Sequence, residues 1–328
     1  MEEQRTIKDL LYEKIAELFQ DEDYGFEVFI ALKNRDEQIK RFCIYDDSLA
    51  DTPGFKDRIR DSISQTIKDV FLSDRDRYIL PERLADEQDR IYIIPQDEEY
   101  EPFSYLKKSE HEIGNFSIND RNDSDGVVFR FRRGMKVLWA YQKIYPAAVP
   151  NKKSQNFLLK CLKVNDSELF TEMRDPLFTI TKKVDILIVD NMVVTENIKL
   201  MQKHFKLETF IVNSALKAAE SIAAINLVAN SDKLTEYVKR SNRKYARRMM
   251  RISDYHVKDL KPEILLSRIQ SVKRWNGVFD INEENRIQLR TYNDVENLID
   301  LFDERYTVSE VTGDEFDTDV KKLAEPKQ

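Results

Sequence analysis

Residues 127–145 read VVFRFRRGMKVLWAYQKIY. Val127, Phe129 and Phe131 alternate with Arg130 and Arg132, the period-two pattern of a strand with one face toward a core. Gly134 interrupts the run, and a second strand-like stretch follows. The segment predicts a β-hairpin. Working outward, FLLKCLKV (157–164) and the pair VDILIVD and MVVT (184–195) predict further strands, the last two turning at Asp190-Asn191. The strand-rich middle spans about 127–195.

On the N-terminal side, IKDLLYEKIAELF (7–19) spaces apolar residues three and four apart, as an amphipathic helix does. FEVFIALKN (26–34) and QIKRFCIY (38–45) predict two strands in hairpin order. After the turn signal DTPG, FKDRIRDSISQTIKDVF (55–71) returns to helical spacing, and RIYIIP (90–95) predicts a strand. On the C-terminal side the pattern turns helical. NSALKAAESIAAINLVA (213–229), LTEYVKRSNRKYARRMMRI (234–252), KPEILLSRIQSV (261–272) with Pro262 in its first turn, and NDVENLIDLF (293–302) with an Asn cap follow in order. The class is α+β: a mixed N-terminal α/β region, a strand-rich middle and a helical C-terminal part. Residues 95–125 are polar and acid-rich and predict a boundary or long loop. Two domains are therefore expected, 1–122 and 123–328, the second holding the strands of 127–195, helices over 213–302 and an acidic tail from Asp303.

The composition excludes several classes. Cys43 and Cys161 are far apart, which fits a reducing cytoplasm and argues against a disulfide framework or a cysteine-rich zinc site. His111, His204 and His256 share no metal-ligand spacing. Neither common glycine-rich phosphate loop occurs. The start, MEEQRTIKDLLYEKI, is charged and unlike a secretory signal. The longest mostly apolar run, SIAAINLVAN (221–230), falls short of the about 20 residues a bilayer requires. A soluble, cytoplasmic chain is expected, touching membranes at the surface or through a partner.

Charge carries more information. The whole has net charge -7, yet residues 127–163 hold nine Lys or Arg and no acid, and residues 239–274 hold twelve against three acids. Each segment nets +9, so the remainder sums to -7 - 18 = -25. Within KRSNRKYARRMMR (239–251), stepping about 100° per residue puts Leu234, Val238, Tyr245, Met249 and Ile252 on one side of a single helix. Lys239, Arg240, Arg243, Lys244, Arg247, Arg248 and Arg251 occupy the other. Such a helix docks by its apolar face and turns a basic face outward. Like charges four residues apart disfavour an isolated helix, which predicts a counter-charge from outside. An intramolecular partner competes with that reading, and the tail DERYTVSEVTGDEFDTD (303–319) is the candidate. The second basic set is Arg130, Arg132, Arg133 and Lys136 of the hairpin, with Lys152 and Lys153 beyond it.

Chemistry is harder to find. Asp185, Asp190, Glu196 and Lys199 lie around the 184–195 strands but follow no nuclease spacing. Asp303, Asp314, Asp317 and Asp319 follow no EF-hand pattern. No catalytic residue, metal or cofactor is expected, and the chain is not read as an enzyme.

Three places carry a family resemblance: VDILIVDNMVVTENIKLMQKHFKLETFI (184–211), the helical run from Ala215 through Ile252, and LIDLFDERYTVSEVTGDEFDTDVKKL (298–323). Together, over about the last 200 residues, they resemble the KwaB family of the bacterial Kiwa anti-phage system. The resemblance implies a DNA-binding effector that blocks replication or transcription of phage DNA without cutting it. It implies a membrane partner, KwaA, that detects infection and holds the effector at the inner membrane, and a homodimer or larger homo-oligomer. It assigns no residues, so the basic residues above are the candidates for DNA contact. Two other classes stay open: an interaction module whose basic face docks an acidic partner or anionic leaflet, and a Mg²⁺-dependent nuclease.

Overall fold

The computed structural model describes residues 7–21, 23–33, 39–44, 53–80, 90–107, 110–144, 159–164, 167–172, 180–240, 243–252, 257, 261–272, 275–302, 306–308 and 315–317. The chain divides into two compact units. One comprises residues 1–77, 89–96 and 101–197, the other 78–88, 97–100 and 198–328.

The first unit contains α1 (Ile7–Leu18), β1 (Gly25–Leu32), β2 (Ile39–Arg41) and α2 (Phe55–Phe71). Then come β3 (Arg77–Ile79), of which only Arg77 falls in this unit, β4 (Ile91–Pro95), β5 (Ser124–Arg133) and β6 (Lys136–Lys143). The pair β7 (Leu159–Val164) and β8 (Ser167–Glu172) forms its own two-stranded ribbon. β9 (Ile186–Val189) and β10 (Met192–Thr195) complete the set. Eight strands make one sheet in the order β2-β1-β5-β6-β9-β10-β4-β3.

The 127–145 hairpin lies at the centre of this sheet. Arg133 pairs with Lys136, and Gly134 takes φ +59, a left-handed conformation that glycine adopts without steric cost. Asp190 turns β9 into β10 at φ +51, which an aspartate tolerates better than most residues. The register sorts the side chains by face. Phe26, Phe129, Phe131 and Leu138 point to one side, where Phe19, just past α1, meets Phe131 edge-on at 5.3 Å. Glu27, Phe29, Arg130, Trp139, Tyr141 and Ile188 point to the other, where Phe103 lies 5.8 Å from Tyr141. Both faces are thus covered, which is why β5 is buried over seven consecutive residues, Asp125 to Phe131.

The segment expected to be a loop or boundary supplies part of that cover. It forms three 3₁₀ turns, Ser104–Lys107, Glu110–Glu112 and Ile118–Asp123. The boundary expected at 122/123 falls inside the sheet, because β5 pairs along its length with β1. Long-range strand pairing joins what a polar stretch separates in sequence.

The second unit is helical: α3 (Ile198–His204), α4 (Leu207–Ala224), α5 (Asp232–Arg240), α6 (Arg243–Met249), α7 (Pro262–Ser271) and α8 (Tyr292–Phe302). Two short strand pairs accompany them, β11 (Asp280–Ile281) with β12 (Ile287–Gln288), and β13 (Tyr306–Val308) with β14 (Glu315–Asp317). α4 buries Phe210, Ile211, Ala215, Ala218, Ala219 and Ile222, and its small residues let α5 and α6 pack closely on it. Tyr100 belongs to this unit: its hydroxyl donates to the Phe205 carbonyl at 3.0 Å, and its ring packs on Phe210.

Two expectations need correction. The single helix over 234–252 is two elements, α5 and α6, with residues 241 and 242 outside the described set. The cap of α8 is Thr291, not Asn293. Asp294 accepts from the Thr291 and Arg290 amides at 2.7 and 2.8 Å, and Thr291 Oγ1 accepts from the Asp294 amide at 3.4 Å, a reciprocal capping box. Burial alone raises the Asp294 pKa, but these hydrogen bonds outweigh it and hold the carboxyl below its ordinary value. α3 was not anticipated at all.

Gly126 gives the sheet a sensitive point. A Cβ there would overlap the ring of the fully buried Tyr141. Tyr141 is held by a hydrogen bond to Asp125 Oδ2 at 3.0 Å, and Asp125 in turn pairs with Lys143 in the interior. Gly126→Ala is expected to cost about 1–3 kcal/mol through overpacking, read as a lower urea midpoint at unchanged slope.

Candidate nucleic-acid interface

The sequence concentrates positive charge in two runs, and the fold decides how much of it stays available. In the hairpin, Arg130 is buried at 8% exposure. Its guanidinium pairs with Glu27 of β1 and lies 5.4 Å from the ring centres of both Phe29 and Trp139. Arg133 pairs with Asp21 and donates to the Glu17 carbonyl at 2.9 Å, and Lys136 pairs with the Glu17 carboxylate. Lys143 is paired with Asp125. Four of the nine cations of 127–163 are therefore matched by acids at positions 17, 21, 27 and 125. Arg132 is exposed on the Trp139 face. Lys152 and Lys153 lie outside the described residues.

The helical run is divided similarly. Lys239 and Arg240 are exposed at the C-terminal end of α5, where cations oppose the negative end of the helix dipole. Arg240 donates to the Tyr292 hydroxyl at 3.2 Å, and that bond is the main reason its pKa stands above the ordinary arginine value. Arg243 and Lys244 open α6, and their side chains lie outside the described set. From there the helix turns inward. Arg247 is half-buried and pairs with Glu208 at 3.2 Å; Arg248 is 6% exposed and pairs with Asp300 of α8. Arg251 is partly buried just beyond α6.

The outward basic face expected for Arg247 and Arg248 is thus corrected. α6 also buries Ala246 and Met249, and is followed by buried Met250 and Ile252. Glu208 of α4 and Asp300 of α8 are the counter-ions of Arg247 and Arg248 among the described residues; most of the acidic stretch from Asp303 lies outside the described set. Among the described residues of the two runs, exposed cations include Lys239, Arg240 and Lys261 in the helical unit and Arg132 in the sheet unit.

The carboxylates considered for a nuclease do not converge. Asp185 is buried, accepts from the Lys143 amide at 2.8 Å and pairs with Lys183 at 3.2 Å. Asp190, at the opposite end of β9, pairs with Lys14, and Glu196 pairs with Arg75 at 3.1 Å. Lys199 lies in α3. Among the described residues no group of three or more His, Cys, Asp or Glu is placed to hold a metal ion. None of their helices is long and apolar enough to cross a membrane.

A family model described as "Kiwa protein KwaB-like" matches residues 121–312, more than half of the chain. The chain belongs to the KwaB-like family. It is accordingly a component of Kiwa anti-phage defence. No curated protein and no solved structure matches it. The KwaB-like segment takes in β5 to β10 and the helices, but begins within the sheet, leaving α1, α2 and β1 to β4 outside it. The acids Glu17, Asp21 and Glu27 that neutralise the hairpin thus come from outside the matched segment.

Sequence reading missed Trp139, Glu27, Glu208 and Asp300. Trp139 was legible as a strand aromatic. The acids were not, since each meets its arginine through pairing or packing between segments far apart in sequence, the nearest pair 39 residues apart.

The cations should separate by stability. Arg248→Ala leaves Asp300 without its partner and is expected to cost about 3 kcal/mol, the low end for a buried pair because Asp300 is one-quarter exposed. Lys239→Ala should stay within about 0.5 kcal/mol. Urea unfolding of both variants checks the contrast.

Proposed function

We propose that the protein is a non-enzymatic DNA-binding component of Kiwa defence. It binds duplex phosphates through Lys239, Arg240, Arg243 and Lys244, with Arg132 of the hairpin and Lys152 and Lys153 beyond it as a second set of contacts. The observation that carries this reading is the exposed pair Lys239-Arg240 at the end of α5, beside two more cations and no acid through residue 244, while Arg247 and Arg248 are neutralised internally. Lys and Arg at phosphates give sequence-tolerant binding by releasing counterions. Few Asn or Gln accompany them, so no base code is proposed for this surface. The excess acid elsewhere orients the approach of DNA to these patches.

The same proposal places the protein in the cytoplasm, held at the inner membrane by a KwaA-like partner and acting there as a homodimer or larger homo-oligomer to block replication or transcription of phage DNA. What supports this part is family membership and the resemblance of the C-terminal segments.

Fluorescence anisotropy with a labelled duplex across a salt series tests DNA binding. Four phosphate contacts predict a log–log slope of about -3.6 and a loss of about 150-fold between 50 and 200 mM salt. Lys239→Glu/Arg240→Glu/Arg243→Glu should flatten the slope by about 2.7 or more while leaving the urea midpoint nearly unchanged. Arg247 and Arg248 are left intact because their loss would destabilise the unit. An unchanged slope would move the contact to the hairpin. No binding at low salt, with binding to anionic vesicles lost in the variant, would establish the docking reading instead. Loss of intact plasmid in Mg²⁺ would favour the nuclease.

A further inference from the structure

On the Trp139 face of the sheet, between the β5–β6 tip, the β9–β10 turn and the first 3₁₀ turn, lies a cavity of about 160 Å³. It is well below the about 300–1,000 Å³ that encloses a drug-sized ligand, so it takes a single small group. Trp139, Phe103 and Leu106 supply apolar and aromatic wall. One polar group stands out there. Gln96, just past β4, donates its backbone amide to the Asn191 carbonyl at 2.7 Å. Its side-chain Oε1 is buried and has no hydrogen-bond partner among the described residues. A buried acceptor left without a donor is costly, and native structures rarely keep one without a reason.

The mouth is charged but balanced. Glu101 is paired with Lys107, and Asp190 with Lys14, so no net negative charge awaits a cation. Trp139 is already engaged by one cation, Arg130. The fully exposed Met135 and the exposed Arg132 flank the site on the hairpin. An aromatic wall, an amide with a vacant acceptor, a neutral mouth and basic residues beside it match a flat, uncharged heteroaromatic ring attached to a phosphate chain.

We propose that this cavity receives an unpaired nucleobase, stacked on Trp139 and hydrogen-bonded edge-on by the Gln96 amide. An amide of this kind pairs with the adenine edge, which offers an N–H beside a ring nitrogen. Every unpaired base offers Oε1 a donor, an exocyclic amine in adenine, cytosine and guanine or the ring N3–H in thymine, so the amide anchors a base without selecting among them. The inference deepens the DNA-binding reading and rests on it for the source of the base: a single-stranded or locally opened segment whose phosphates lie beside Arg132. A free nucleotide carries the same ring chemistry.

The protein has two tryptophans, so Trp275→Phe leaves Trp139 as the sole indole reporter. In that background, single-stranded oligodeoxyadenylate should quench Trp139 emission saturably. An abasic oligomer of equal charge should not, and it should bind at least about fivefold more weakly in anisotropy, the low end of what stacking one base contributes. Gln96→Leu, close to isosteric, should weaken binding of single-stranded oligodeoxyadenylate by about two- to tenfold, the yield of one hydrogen bond, and leave duplex binding unchanged. Adenosine monophosphate distinguishes the sources: quenching by it at comparable concentration assigns the site to free nucleotides. DNA binding with unchanged Trp139 emission and no effect of Gln96→Leu would overturn the pocket while the DNA reading stands. Quenching by the nucleotide without binding of any DNA would do the reverse. Neither signal would remove both.

Discussion

Arg130 is the point on which the sheet depends. It occupies the middle of the most buried strand, where an unpaired cation would be untenable. It is tolerated because Glu27 stands directly across on β1 and Phe29 and Trp139 flank its guanidinium. A slip of one residue between β1 and β5 would send Glu27 to the opposite face and leave the charge among Phe129 and Phe131. The pair therefore favours one register between β1 and β5. Whether it adds net stability is a separate matter, since buried ion pairs often do little more than offset their own desolvation. Its value here lies in specifying which strands meet and how.

The same constraint reshapes the electrostatics. Summed along the sequence, residues 127–163 form a +9 block. In space the block is not isolated. Acids of α1, β1 and the start of β5 come to it because the sheet places β5 next to β1 and α1 below the hairpin. The helical run behaves alike: Glu208 and Asp300 are far from Arg247 and Arg248 in sequence but adjacent across packed helices. Charge density along a chain thus overstates charge density on a surface wherever the segment is also a core element.

How much could be read beforehand follows from that distinction. α1, α2, β1, β4, the hairpin and the β9–β10 pair were legible to within a residue or two, because each carries a clean period and its own turn residues. Asp190-Asn191 and Gly134 declared their turns by residue type. The boundary at 122/123 was not legible, because polar composition describes exposure to water and says nothing about which strands pair across it. α6 misled for a related reason. Its arginines look like a solvent face on a helical wheel, but Ala246 and Met249 with Met250 beyond supply apolar contacts in more than one direction. A short helix wrapped on several sides will bury a charge if partners stand ready.

This sorting also bears on how the exposed cations work. Lys239 and Arg240 close α5, where the backbone dipole already favours positive charge, so they sit exposed without a buried acid committed to them. Arg247 and Arg248 lack that option, and two acids are committed to them. Within this one run, Lys239 and Arg240 are exposed, while Arg247 and Arg248 are committed to acids of the neighbouring helices. The run can therefore be dense in charge along the sequence while only part of that charge faces solvent.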